Sequence, residues 1–226
     1  MLEMQGIAKF YGDKAVLENI SCSFTAGSVS LLIGGNGAGK STLVRIMAGL
    51  SRPSAGTARF TGEAASSRPR RTGYLGHATF LYPGLTALEN LRFWSDAGGM
   101  DLGEDDLLAV LGRVGLAPCA RERSGVFSRG MAQRLNLARV LMPDPDMLLL
   151  DEPGTGLDAA SRVFLHQEVL AARARGACVV LVSHDVAADA PLADRILLLD
   201  NRKLAFDGSP SDYDAAVRAE GEPCCA

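Results

Sequence analysis

The run Gly34-Gly35-Asn36-Gly37-Ala38-Gly39-Lys40-Ser41-Thr42 fits the pattern G-x-x-x-x-G-K-[ST]. That spacing suits phosphate chemistry. Glycines let the backbone curl until several N–H groups point at the β- and γ-phosphates of a nucleoside triphosphate. The helix that follows presents its positive end, and Lys40 adds a point charge. Ser41 is placed to offer its hydroxyl to Mg²⁺. A glycine-rich turn before an ordinary helix is the plain alternative, and the flanks decide between the two. Val29-Ser30-Leu31-Leu32-Ile33 reads as a short buried strand, and residues 42–50 have helical spacing that ends near a glycine. A strand-loop-helix unit is the context the phosphate pattern requires.

Asp151 and Glu152 directly follow the apolar run Met147-Leu148-Leu149-Leu150. Two carboxylates then sit at the C-terminal edge of a parallel sheet, where open α/β folds bind their ligands. Asp151 suits Mg²⁺ coordination, usually through water, and Glu152 can accept a proton from an attacking water. The chemistry expected is hydrolysis of the terminal phosphate.

The elements that must position these groups are legible in outline. Residues 2–33 alternate and turn as an antiparallel sheet leading into the phosphate loop would, forming the outer wall of the nucleotide site. Residues 57–60 and 72–75 read as further strands around a Ser/Arg-rich loop containing Arg68-Pro69-Arg70-Arg71, a solvated basic cluster. From about residue 77 to 142 the pattern turns helical. Thr86-Ala87-Leu88-Glu89 is a capping box opening a helix through Trp94, and further helices fit residues 104–114 and 130–141. Residues 147–151 and 178–182 are apolar throughout and flank a helix at about 159–173, the signature of a parallel sheet buried on both faces. Residues 196–199 and 203–206 add a strand and hairpin, and Ser209-Pro210 starts a last helix. The expected fold is α/β: one domain over residues 1–226, a mixed sheet core with an antiparallel part, and a helical lobe at 77–142 inserted into it.

Composition narrows the class. At 226 residues the chain can bury one large core. Its net charge of -3 gives no general attraction to nucleic acid or to an anionic membrane, so no nucleic-acid partner is expected. Its apolar runs are far shorter than the roughly 20 residues that cross a bilayer. Residues 1–6 lack the basic and apolar regions of a signal peptide, which places the expected chain in the cytoplasm. Cys22, Cys119, Cys178, Cys224 and Cys225 lack metal-ligand spacing and read as reduced thiols, the last two in a frayed tail.

Five further motifs occur in a telling order: Tyr11, Ser128-Arg129-Gly130-Met131-Ala132-Gln133-Arg134 at a helix start, Asp151-Glu152-Pro153, Gly156-Leu157-Asp158, and His184 after the next strand. With the phosphate loop they resemble the nucleotide-binding subunit of an ATP-binding cassette (ABC) transporter over nearly the whole chain. The resemblance implies a P-loop NTPase fold of the ABC type that binds ATP and Mg²⁺. It implies that Tyr11 stacks on adenine, although the residue type equally fits a core tyrosine. Ser128, Arg129 and Gly130 then contact the γ-phosphate of ATP held by a second copy, so each site needs two chains. Asp158 lies at that dimer interface, and His184 contacts the γ-phosphate and holds Glu152 and the water in line. His166 sits within a helix and reads as surface or packing.

Two departures stand out from the family pattern. Arg129 and Met131 replace a usual glycine and a common glutamine in the signature run. His77, in Gly73-Tyr74-Leu75-Gly76-His77, stands where the family normally carries a glutamine linking Mg²⁺ and water to the membrane subunit, and its charge changes near neutral pH. His77, together with Leu85-Thr86-Ala87-Leu88-Glu89-Asn90-Leu91-Arg92-Phe93-Trp94, is similar to the heme exporter ATPase of bacterial cytochrome c maturation. Exporters of drugs, lipids or polysaccharides share the Leu-Thr-x-x-Glu-Asn-Leu theme. The expectation is a peripheral ATPase on the cytoplasmic face of the inner membrane, dimerising on ATP, working with integral membrane subunits and heme-handling proteins. Phe93 and Trp94 are candidates for docking those subunits, with core packing the alternative. A DNA-associated ABC-type ATPase is the competing class, but the chain has no long coiled-coil insertion and no basic surplus.

Overall fold

The computed structural model describes residues 1–61, 71–76, 78–155 and 157–220, with side chains described through 217 in the last helix. His77, Gly156, Arg68, Pro69, Arg70, Cys224 and Cys225 lie outside the described residues.

Two sheets carry the molecule. Strands β1 (Leu2–Tyr11) and β2 (Lys14–Phe24) form a hairpin, and β4 (Ala55–Phe60) pairs antiparallel on the other side of β1. The larger sheet has the order β5-β6-β7-β3-β8-β9. Here β5 (Thr72–Leu75), β6 (Met147–Asp151), β7 (Cys178–Val182), β3 (Val29–Ile33) and β8 (Arg195–Asp200) run parallel, and β9 (Lys203–Gly208) returns antiparallel. The expected antiparallel wall at residues 2–33 therefore ends at β2. β3 is buried at all five positions, and only a strand inside the parallel sheet, covered on both faces, tolerates that pattern.

The faces sort by the period of two. Leu149 of β6 points with Leu32 and Val180 toward β1, β2 and helix α1 (Lys40–Met47), into a core with Met4, Leu17 and Phe24. Leu148 and Leu150 point the other way, with Leu31 and Leu181, against helices α4 (Arg129–Leu141) and α5 (Ala159–Ala174). A third core joins α2 (Ala87–Ala97), α3 (Glu104–Arg113) and α4 through Leu91, Leu107, Leu111 and Leu135. Helix α4 thus has two apolar faces, Leu137 and Leu141 for the sheet and Leu135 and Ala138 for its neighbouring helices. A short α6 (Val186–Asp189) and a terminal α7 (Pro210–Glu220) complete the fold.

Helix starts follow the sequence closely. Thr86 Oγ1 accepts from the Glu89 N–H at 3.1 Å while Glu89 Oε2 accepts from the Thr86 N–H at 2.8 Å, so the capping box of α2 is reciprocal. Ser209 does the same for α7 with Asp212.

Candidate nucleotide-hydrolysis site

The phosphate loop leaves the end of β3 and enters α1 between two fixed walls. Gly34 has φ 146°, and a Cβ there would lie 2.2 Å from the carbonyl oxygen of Leu199 on β8. Gly39 has φ 102°, and its Cβ would meet the Leu17 side chain at 2.7 Å and the Val16 carbonyl at 2.8 Å on β2. No other residue fits either place. Gly39 caps α1 without a side chain, and the first turn of α1 holds no acid to compete with an anion at its N-terminal amides. Lys40 is 5% exposed, and its Nζ donates to the carbonyls of Gly34 at 2.7 Å and Gly35 at 3.1 Å, which ties the ammonium across the loop. Gly35, Asn36, Gly37 and Ala38 form the rim, and Thr42 follows in the first turn of α1.

The sheet order brings the other predicted groups to this loop. β7 alone separates β3 from β6, so Asp151 at the end of β6 lands beside α1. Ser41 Oγ donates to Asp151 Oδ1 at 3.2 Å. Asp151 is 1% exposed. Among the described residues no three His, Cys, Asp or Glu side chains cluster as a metal site. One hydroxyl and one carboxylate therefore offer two hard oxygen ligands, leaving the rest of a shell to phosphate oxygens and water, the usual arrangement for Mg²⁺ and a poor one for zinc.

Glu152 turns the chain sharply at φ 54° while its N–H donates to Val182 O at 3.2 Å, anchoring the turn on β7. His184, two residues beyond β7, brings Nε2 within 2.6 Å of Glu152 Oε1. Glu152 is the more enclosed partner, with its side chain 18% exposed against 46% for His184. A carboxylate held by an imidazole at the open edge of the sheet is an orientable proton acceptor.

The remaining predicted residues that the structure describes sit on neighbouring elements. Tyr11 ends β1 as a 52% exposed residue with Lys9 Nζ 5.0 Å from its ring centroid, on the hairpin whose Val16 and Leu17 wall the loop. A residue this exposed is not packed in the core. Ser128 caps α4, its Oγ accepting from the Met131 N–H at 3.2 Å, and both Ser128 and Arg129 are exposed beside a half-buried Gly130. Asp158 caps α5, and its carboxylate is held below the usual range by hydrogen bonds from the Ser161 N–H and hydroxyl, with Arg134 adding a little. His166 pairs with Asp189 at 2.7 Å as a packing residue.

Two contacts had no signal in the sequence. Gln133 Nε2 donates to Pro153 O at 3.3 Å, linking the helix that begins at Ser128 to the residue after Glu152. Tyr74 on β5 lies near Asp151 and Arg45: burial raises its phenol, the Asp151 charge raises it further, and Arg45 opposes both. Each depends on how strands and helices pack across long separations.

Comparison with known proteins converges on the same assignment. The ABC transporter family model matches residues 17–155. The chain belongs to the ABC transporter ATP-binding family. It is 35% identical over 215 residues to the Nod factor export ATP-binding protein I of Burkholderia orbicola, covering 92% of this chain and 71% of that one. It is 34% identical to the linearmycin resistance ATP-binding protein LnrL of Bacillus subtilis, over 94% of this chain and 70% of that one. It is 38% identical to the aliphatic sulfonates import ATP-binding protein SsuB 1 of Mesorhizobium japonicum, over 90% and 77%. A solved ATP-binding subunit of an ABC transporter superposes with TM-score 0.84 at 27% identity, covering 98% of this chain and 95% of that one. A dimeric ATP-binding cassette in a post-hydrolysis state, bound to ADP and Pi, shares the fold at TM-score 0.82 and 23% identity, over 93% and 99%. The chain is thus the ATP-hydrolysing subunit of an ABC transport system, and among its described residues no helix is long and apolar enough to cross a membrane.

Proposed function

We propose that this ABC subunit hydrolyses ATP at composite sites formed by two copies, with Glu152 as the proton acceptor. The carrying observation is the 2.6 Å contact between His184 Nε2 and Glu152 Oε1, one residue past the Asp151 carboxylate. The glycine-rich loop and Lys40 hold the β- and γ-phosphates. Ser41 and Asp151 would hold Mg²⁺, which supplies charge neutralisation at the γ-phosphate. Glu152 takes a proton from the attacking water, and His184 fixes the carboxylate's direction. Ser128, Arg129 and Gly130 of the second copy close over the γ-phosphate with a hydroxyl, a guanidinium and open N–H groups, and Asp158 lines the same seam. Tyr11 carries the adenine. In this reading residues 77–142 act as the inserted lobe that delivers Ser128, and His77 serves at the contact with the membrane subunit.

Exposed rings mark the docking face. Phe80, Tyr82 and Phe93 are 49%, 43% and 41% exposed, and the rings of Tyr82, Phe93 and Trp94 stack edge to face at 4.6 and 5.4 Å. An aromatic patch of this kind suits a protein partner. The membrane subunits are taken to cover it, holding the ATPase peripherally at the cytoplasmic face.

For cargo we carry the cytochrome c maturation reading, in which the complex exports or delivers heme with heme-handling partners. Its support is His77 and the segment Leu85 to Trp94. Relatives named for Nod factor export, linearmycin resistance and sulfonate import share the cassette equally well, in keeping with cargo being selected by other subunits. The test is purification of Glu152→Gln from native membranes, which should trap the ATP-bound dimer. Mass spectrometry and a heme absorbance scan then read its partners. Membrane proteins with a heme-binding protein support the reading. Another permease retains the transport ATPase and removes heme, whereas nucleic acid without membrane protein overturns the transport role.

A further inference from the structure

His166 does more than pack. It and Arg162 stand one turn apart on α5, so both leave the same face of that helix. Asp185 and Asp189 are spaced alike on the segment that follows His184, where Asp185 caps α6 and Asp189 ends it. The two sets meet as the rungs of a ladder. Arg162 Nη1 donates to Asp185 Oδ2 at 2.7 Å, and His166 Nε2 lies 2.7 Å from Asp189 Oδ1.

One side of this ladder is firmly seated and the other is not. α5 buries Leu165, Val169 and Ala172 in the core between sheet and helices. α6 has four residues and fully buries none of them, with Val186 only leaning on that core. A helix that short has no stability of its own, so its place depends on what ties it down. Asp185 is tied twice: Oδ1 accepts from the Ala188 N–H at 3.2 Å while Oδ2 takes the guanidinium. It is also the residue next to His184, whose other neighbour, Ser183, is buried at the end of β7. A cavity of about 140 Å³ adjoins both the ladder and the Glu152–His184 contact, lined among others by Glu152, Arg162, His166, His184 and Asp185. With that space beside it, the imidazole is not wedged by close packing there, and hydrogen bonds are left to set its direction.

Resting on the roles proposed above for Glu152 and His184, we infer that Arg162 and His166 are positioning residues for hydrolysis: through Asp185 and Asp189 they hold the segment that carries His184, and so set its approach to Glu152. The side chains of Arg162 and Asp185 are 39% and 51% exposed, and a pair that open adds little to folding stability. Its loss should register in turnover while Tm stays nearly unchanged.

Steady-state phosphate release by the full chain, with Tm taken on each variant, tests the ladder. Arg162→Met and His166→Leu should each lower kcat about tenfold with KM for ATP unchanged, because a displaced imidazole misaligns the reacting groups and leaves nucleotide binding alone. Arg162→Lys keeps a cation for what is a single-point contact, and His166→Gln keeps a donor near the place of Nε2, so both should recover most of the rate. In a His184→Ala background the same substitutions should cost less than about twofold, since residues that act only through His184 have nothing left to position. Arg162→Met, on the exposed rung, decides the matter even where His166→Leu loses its fold. Wild-type turnover of Arg162→Met, or a further loss of about tenfold in the absence of His184, overturns the inference and leaves the Glu152–His184 reading standing. Wild-type turnover of His184→Ala overturns that reading and the inference with it.

Discussion

Side by side in the phosphate loop, Gly34 and Gly35 make opposite demands. A methyl on Gly34 would press 2.2 Å from Leu199 O, whereas one on Gly35 meets nothing within 4 Å. Gly34→Ala should therefore push the loop off β8 and weaken ATP binding by about a hundredfold, with Gly35→Ala far milder; equilibrium titration with a fluorescent ATP analogue separates them. Equal losses would mean that the loop is not braced against β8. Glu152 makes a different kind of demand, since its amide analogue keeps shape and loses basicity. Glu152→Gln should lower turnover by about 10² to 10⁴ with little change in ATP affinity, read by phosphate release against binding. A variant that loses binding and turnover together would assign Glu152 to nucleotide holding instead.

Between elements, one polar link joins helices α3 and α5. Arg113 of α3 grips Glu168 of α5 with both carboxylate oxygens, at 3.1 and 2.5 Å, and the glutamate side chain is 10% exposed. Arg113→Met leaves that carboxylate enclosed and unpaired, and should destabilise the fold by about 3 kcal/mol in urea denaturation. Adding Glu168→Met should recover most of the loss, because the enclosed charge goes too. The cap of α2 carries the pH dependence. Glu89 is held below the usual carboxylate range by the Thr86 N–H and hydroxyl. Its contribution is therefore complete above the unfolded pKa and disappears as pH falls through the folded one, so wild type and Glu89→Gln should converge in Tm at low pH and differ at neutral pH. Caps and buried strands were legible in the sequence because both are local: β3, β6 and β7 fall on the residues their apolar runs predict, and β5 on the short strand expected at 72–75. The placement of β3 in the parallel sheet, rather than in the wall before it, was not legible, since neighbours at residues 178–182 and 195–200 choose it. The same limit hid the Gln133 contact with Pro153 and the place of Tyr74 near Asp151, which join residues 20 and 77 positions apart.

For the whole molecule the open point is whether one chain completes its own site. Within a single copy the phosphate loop, Asp151, Glu152 and His184 converge, while Ser128 and Arg129 face solvent on α4 with no hydrogen bond to any of them. Two copies in opposed orientation would bring each signature to the other's phosphate loop, as a closed two-fold pair requires. Mixing decides this. Lys40→Met spoils a copy's own loop but keeps its signature, and Ser128→Tyr does the reverse, so each alone should be inactive. In an equal mixture about half the pairs are mixed, and each has one site with an intact loop and an intact signature, giving roughly a quarter of wild-type phosphate release. Sites complete within one chain would give none, because neither variant then owns a working set. ATP must also draw the copies together, since a ligand shifts an equilibrium only by binding one state better. Light scattering of Glu152→Gln should show the dimer with ATP and the monomer with ADP, and a dimer of equal stability with both would leave nucleotide binding with no work to transmit to a membrane subunit.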